Sequence, residues 1–385
     1  SKIHIIDESI TVIDKETNQN AQIAIQTNII SQQANEIATK IVEDLAGFLK
    51  RQEHGTLVEL LLELAGDHAG VKERLSRLQL ADRPDKLASG FRKTLTAWRR
   101  STKYFHYRAE AREFANGLQA WLDQIERELL PKDPAAALAL FDAFIQSDGC
   151  WFERADDSDG TIGDVVRSAC VHWLQAAKRC ERPSDEWPDR LLNLYQQDQY
   201  GARNGILRQA NLLLDESGMR QLVGQHEDLL AKAIAVRSID QSLPHEVFKF
   251  SAALSLLSEA LDDPDVRVKA VCSYSPEPNG LQKEEFVRAY LKAGRPLDAL
   301  VWLEVTWGDR YESARQRLLS DTLAILGRLE ESAEIRRGIF ERSLAVIHFH
   351  RLLEVLPQGL HAAAHERASQ MAFSHDDAIV AAQLL

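Results

Sequence analysis

Apolar residues recur at helical spacing along nearly the whole chain after residue 34. In TIGDVVRSACVHWLQAAKR, residues Val165, Val166, Ala169, Cys170, Trp173, Leu174 and Ala177 fall on one helical face, while Arg167, His172, Lys178 and Arg179 fall off it. The same pattern predicts helices over 34–50, 56–66, 69–79, 84–103, 107–130, 133–146, 162–180, 185–197, 202–215, 218–235, 244–261, 280–294, 296–307, 310–326, 329–342, 344–356, 358–372 and 375–385. The breakers HG, DRP, LPKDP, RPSDEWP and SPEPNG fall between them. Connections this short predict antiparallel neighbours.

The pattern differs before residue 40. KIHIIDESITVI (2–13) and AQIAIQTNII (21–30) alternate with a period of two around the polar DKETNQN, which predicts a pair of short strands. The first forty residues hold ten isoleucines and no leucine or arginine, whereas Leu, Ala, Arg and Glu dominate afterwards. A lone hairpin is marginal in water. This segment is therefore expected to pack on the helical body, to join another chain, or to be foreign to the fold.

In the last third, YLKAGRPLDALVWLE (290–304) aligns with LAILGRLEESAEIRR (323–337), setting Gly294–Arg295 over Gly327–Arg328. That period, near 34 residues, is the signature of stacked helical hairpins of the tetratricopeptide (TPR) kind. The expected fold is all-α: an α-solenoid of stacked helical hairpins, TPR-like in its C-terminal third, with a small N-terminal β-hairpin-like segment. The expected divisions are 1–40, a helical body over 41–275, and repeats over 276–385. The end, DDAIVAAQLL, is apolar where a solenoid wants a polar capping helix. Either the chain stops early or that face docks on something.

Charge and composition narrow the function classes. The net charge is −12, which disfavours bulk attraction to nucleic acid or anionic membranes. No apolar run is long enough for a membrane span, and the opening residues lack the basic-then-apolar pattern of a secretory signal. The four cysteines Cys150, Cys170, Cys180 and Cys272 form no C-x-x-C pair, so neither a disulfide scaffold nor a structural zinc site is expected. Reduced thiols suit a cytoplasmic protein. Phosphate-binding glycine loops and the G-x-S-x-G elbow are absent, so no cofactor is expected.

Three stretches carry candidate chemistry. The first is ERADDSDGTIGDVV (153–166). Its D-x-D-G-T string matches the opening of a phosphatase nucleophile loop, with Asp157 and Asp159 as nucleophile and acid–base. That chemistry needs a buried strand, and the preceding GCWFERA is too short and too charged for one. A calcium loop fails on register, since Ala155 and Val166 would stand where ligands belong. The favoured reading makes Thr161 and Asp164 a capping box, with Asp156, Asp157 and Asp159 shaping an acidic turn open to a basic partner. Thr56 and Glu59 read as a second capping box, with Gly66 as the left-handed C-terminal cap.

The second is KLASGFRKTLTAWRRSTKYFHYR (86–108). It places Arg92, Lys93, Arg99, Arg100, Lys103 and Arg108 beside Trp98, Tyr104 and Tyr107 with no acidic residue among them. Cations interleaved with aromatics can follow a phosphate backbone and stack bases. They equally suit a helix with its aromatics in the core and its cations in water, or a self-complementary contact with the acidic 153–164 loop. The third is His361 and His365, which share a helix face at a chelating spacing. Ala362 stands where a metalloprotease carries its glutamate, so a solvated pair and no metal is the expectation. His348 and His350, two apart, fall on different faces.

The segments HGTLVELLLELAGDHAGVKERL (54–75), DPAAALALFDAFI (133–145) and FERADDSDGTIGDVVRSAC (152–170) resemble a bacterial all-helical family of unknown function, often joined to a SWIM-type zinc finger. The resemblance covers roughly the chain from residue 44 onward and implies a helical-repeat scaffold whose relatives extend further. The finger needs a C-x-C pair, which this chain lacks, so its zinc and nucleic-acid roles do not carry over. Taken together, the expected function is a non-catalytic scaffold that binds another protein. A nucleic-acid-associated protein using 86–108 is the alternative, and a hydrolase using Asp157 and Asp159 is the weakest.

Overall fold

Helix formation after residue 40 follows from the apolar periodicity and from local start signals. Asp133 and Asp263 each precede a proline. In both cases the aspartate side chain accepts a backbone N–H of the first turn, from Ala136 at 2.9 Å and from Asp265 at 3.1 Å. Proline at the first helical position loses no hydrogen bond. Asn279 starts another helix with a full capping box, closed reciprocally by Gln282.

The computed structural model describes residues 40, 43–80, 83–180, 184–236 and 243–374. The strand pair predicted before residue 40 and the helix predicted over 375–385 lie outside the described residues. By contact the chain divides into two compact units, one ending at Arg83 and one beginning at Pro84. In the first unit, α1 (His54–Asp67) and α2 (Ala69–Gln79) pack on each other, and neither has a buried residue.

The second unit is all-α among the described residues. It begins with α3 (Pro84–Arg100), α4 (Arg108–Gln124, running into a π-turn over Ile125–Leu129), α5 (Pro134–Ile145), the short α6 (Asp148–Phe152) and α7 (Thr161–Arg179). Helix α7 lies against both α4 and α5, and α3 lies against α5. Then come α8 (Trp187–Gln196), α9 (Gly205–Arg208), α10 (Glu216–Ala235), α11 (His245–Leu261) and α12 (Pro264–Tyr274), with α11 packed between α10 and α12. The last helices are α13 (Gly280–Lys292), α14 (Pro296–Leu303), α15 (Asp309–Ile325), α16 (Leu329–Ser343), α17 (Val346–Leu353) and α18 (His361–Phe373). Helix α13 touches both α14 and α15, and each of α14, α15 and α16 touches its successor.

Three apolar clusters follow one another along this unit. The first runs from Leu87 to Ala270 and holds the large side chains Trp151, Trp173, Phe141 and Phe144, all fully buried. The second centres on Phe286, Val287, Leu303 and Trp307, and the third on Phe340, Phe349 and Leu352.

Several local expectations need correction. Helix α1 starts two residues before Thr56, with Glu53 as N-cap and no side-chain cap, so Thr56 and Glu59 form no capping box. Gly66 lies inside α1 rather than in a left-handed cap, which makes His68 the C-cap. The helix predicted over 202–215 is instead the single turn of α9 followed by a 3₁₀ turn at Ala210–Leu212. A Cβ on Gly205 would stand 3.1 Å from the Arg167 carbonyl oxygen, so this turn crosses α7 closely. Upstream of it, the Asp198 carboxylate gathers the backbone N–H groups of Gly201, Ala202 and Arg203. Helix α12 and the short α6 lie where the periodicity predicts no helix.

Candidate functional site

The acidic loop and the basic stretch meet within one chain. Phe105 donates its backbone N–H to the Arg154 carbonyl at 2.8 Å and forms a parallel bridge with Ala155. The Arg154 guanidinium reaches back, donating to the carbonyl of Trp98 at 2.7 Å and to that of Ser101. Those carbonyls close α3, which therefore ends at Arg100 instead of continuing to Lys103. Asp159 then pairs with Arg108 at 3.4 Å and Arg112 at 3.8 Å.

This arrangement reassigns the acidic loop. Gly160 occupies the N-cap position of α7 in the left-handed region, φ 72°, and has no side chain to offer. Asp157 supplies the cap from three residues upstream. Its Oδ1 accepts from the Ile162 N–H at 2.7 Å and its Oδ2 from the Gly163 N–H at 3.0 Å. Thr161 is only the first helical residue, and Asp164 pairs with Arg167 at 2.5 Å. The Thr161–Asp164 capping box is thus replaced by an aspartate that saturates two otherwise unpaired N–H groups at the positive end of the helix dipole. Asp156 accepts from the Ser158 N–H at 3.0 Å and makes no ion pair among the described residues.

The basic stretch separates into two faces. Leu87, Ala88, Phe91 and Leu95 turn α3 onto the core. Trp98 joins them, so it does not belong to the exposed surface expected of it. Its ring stands edge-on to Trp121 at 5.8 Å and to Trp151 at 6.4 Å. Phe105 stacks on Phe114 at 4.4 Å, with the Lys103 ammonium 4.9 Å from its ring. On the other face Arg92, Lys93, Arg99 and Arg100 are exposed and form no ion pair with a described residue. Arg92, Lys93 and Arg100 line an open groove of about 360 Å³ whose floor is Ser89, Thr96 and Ala97. Tyr104 and Tyr107 stand out from the following loop, 45% and 72% exposed.

Both aspartates of the D-x-D-G-T string are engaged within the chain. The first is committed to α7 and the second to two arginines, and the described residues contain no strand beneath the loop. No group of three or more His, Cys, Asp or Glu that could hold a metal occurs among the described residues. His361 donates to the Leu356 carbonyl at 3.0 Å, while the His365 ring stands edge-on to Phe349 at 4.9 Å. No described helix is long and apolar enough to cross a membrane.

A feature that the sequence reading missed is Arg203. Its guanidinium is buried, paired with Asp148 at 2.7 Å, and donates to the carbonyls of Leu194 at 3.1 Å and Ile145 at 3.2 Å. It ties the loop before α9 to α5 and α6. Nothing in its sequence neighbourhood distinguishes it from a surface arginine.

Residues 49–385 match a family of unknown function (DUF6880). The chain belongs to that family. Neither the curated proteins nor the solved structures provide a significant match. In this DUF6880 chain the matched region takes in the whole of the second unit, including the exposed face of α3 and the acidic loop. The DUF6880 chain also holds one C-x-H triplet, Cys170–Val171–His172. Cys170 is fully buried, and desolvation pushes its thiol well above the usual range, while His172 stacks on Phe141 at 5.4 Å.

Proposed function

We propose that the chain is a non-catalytic helical-repeat scaffold that binds another protein, its C-terminal hairpins stacked in the TPR manner. The observation that carries this reading is a turn used twice. After α13, Gly294 has φ 69°, and Arg295 donates its N–H to the Tyr290 carbonyl at 2.9 Å. After α15, Gly327 has φ 75°, and Arg328 donates to the Leu323 carbonyl at 2.9 Å. In each turn the arginine side chain then grips a carboxylate three residues on, Asp298 at 2.7 Å and Glu331 at 2.6 Å. Ala299 and Ser332, each five residues past its glycine, are buried at matching places in the helices that follow. Repeated hairpins that contact their neighbours present long surfaces suited to peptides and domains. The resemblance to helical modules that accompany SWIM-type fingers points the same way.

The nucleic-acid reading draws on exposed Tyr104 and Tyr107 beside cations with no ion pair among the described residues, but Trp98 is half-buried against the core and Arg108 is held by Asp159. The hydrolase reading draws only on the D-x-D-G-T string. The test of the scaffold is purification from the native host with chemical cross-linking. Cross-links from one defined protein to helices α13–α18 are the expected result. A chain that elutes alone as a monomer, with no cross-linked partner, overturns the reading.

A further inference from the structure

The scaffold reading says that a protein is bound without saying what kind of surface it offers. We infer that the outer face of α3 docks a short carboxylate-rich segment of a protein partner, an inference that rests on the scaffold reading. Five cations are involved: Arg92, Lys93, Arg99 and Arg100 on α3, and Lys103 just after it. None of them pairs with a carboxylate of a described residue. The sequence from 86 to 108 contains no acidic residue, although the chain has net charge −12 and 58 acidic residues. Some arginines elsewhere are matched closely, as in Arg220–Asp263 at 2.5 Å, Arg288–Glu284 at 2.6 Å and Arg295–Asp265 at 2.9 Å.

The face is also rigidly presented. Its inner side is locked into the core by Leu87, Phe91 and Leu95, and its C-terminal end is held by Arg154 through the Trp98 and Ser101 carbonyls. A preorganised cation array loses little further freedom on binding. Ser89 lies in the groove between Arg92, Lys93 and Arg100, whereas the Thr96 hydroxyl is spent on the Arg92 carbonyl at 2.7 Å.

Size and borders select the ligand. From Arg92 to Arg100 the helix rises about 12 Å, the reach of about four extended residues. Each phosphate contact adds about 0.7–0.9 to the salt slope, so five cations would give nucleic acid only a modest share of that electrostatic gain. Carboxylates bound the stretch at both ends, with Asp85 in the first turn of α3 and Asp159 on Arg108. A long polyphosphate would run onto acidic ground in either direction, whereas a short acidic segment would not.

The experiment is fluorescence anisotropy on the full chain with two labelled probes of similar length, a polyglutamate peptide and oligothymidylate. The peptide is expected to bind at low salt, to weaken as salt is raised, and to bind more tightly than the oligonucleotide. Arg92→Glu/Arg99→Glu/Arg100→Glu is expected to weaken the peptide by about tenfold or more. Lys132→Glu, an exposed cation in the turn before α5, is expected to leave binding unchanged. Because the altered side chains are exposed, the helical circular dichroism of the triple variant should match wild type. The milder Arg99→Gln/Arg100→Gln pair repeats the test should it not. Three results overturn the inference: no peptide binding, binding that survives the charge reversal, or tighter binding of the oligonucleotide. The scaffold reading is judged separately by the cross-links to α13–α18, so failure here with those cross-links present removes only this docking face.

Discussion

At the scale of single residues, the start of α7 and the buried middle of α10 make opposite demands on polar side chains. Asp157 caps α7 with both carboxylate oxygens, so Asp157→Ala should destabilise the chain by about 1–2 kcal/mol, as loss of a good N-cap does. Thr161→Ala should stay within about 0.5 kcal/mol. Urea titrations of the two variants test the contrast, and a larger effect at Thr161 would reverse the assignment. His226, by contrast, is buried in α10 with its Nδ1–H given to the Leu222 carbonyl at 2.8 Å and its Nε2 facing no partner. Protonation would place an unpaired N–H in the core, and desolvation holds the ring's pKa below its usual 6.5. The unfolded chain therefore binds more protons than the folded chain just below pH 6.5, and stability falls as the pH drops through that value. The slope contributed is at most about 1.4 kcal/mol per pH unit. His348 adds a slope of the same sign, through burial and the neighbouring Arg351 and Arg317. The difference between wild type and His226→Phe, followed by thermal melts from neutral to acidic pH, isolates the His226 share. Little of this was legible beforehand. A D-x-x-G-T string fits a Thr cap and an Asp cap equally well, and only the left-handed Gly160 decides between them.

At the scale of elements, the close crossings matter most. A Cβ added to Gly280 would lie 2.4–2.7 Å from the Tyr311 side chain, including its Cβ, where α13 meets the start of α15. Gly280→Ala should therefore cost about 1–3 kcal/mol, the range for overpacking in a filled interior. Differential scanning calorimetry reads this as a lower Tm, and an unchanged Tm would mean that the crossing is loose. Long periodic helices such as α7, α10 and α11 were readable because each has a wide apolar face. Helix α12 was not, because PDVRVKAVCSY has little amphipathic contrast. Its start signal was nevertheless present in Asp263–Pro264, the same pair that opens α5 at Asp133–Pro134. The true end of α3 was hidden for another reason: the group that closes it is Arg154, more than fifty residues away.

At the scale of the whole molecule, the second unit divides its apolar interior into three clusters of unequal size. Where such clusters are small and bordered by few neighbours, opening is local and costs less than global unfolding. Backbone amides in α16–α18 should therefore exchange with deuterium faster than those of α7, whose buried face sits in the largest cluster. Uniform protection across both regions would show a single cooperative body. The helical class could be read from the sequence, and so could the paired Gly–Arg motifs that form the turns at 294–295 and 327–328. The contact between the acidic and basic stretches was legible only as one of several alternatives, because charge patterns do not say which exposed groups will meet.

The paired Gly–Arg turns also bear on how the chain could lengthen or shorten. Excising Arg295 through Gly327 would join Gly294 to Arg328, leaving Tyr290 to accept the Arg328 N–H and Glu331 to receive its side chain. The junction would be the turn that already exists, so a whole hairpin could be lost without composing a new loop. What would decide the outcome is whether the layers brought together accept each other, with Gly280 and Tyr311 no longer opposed.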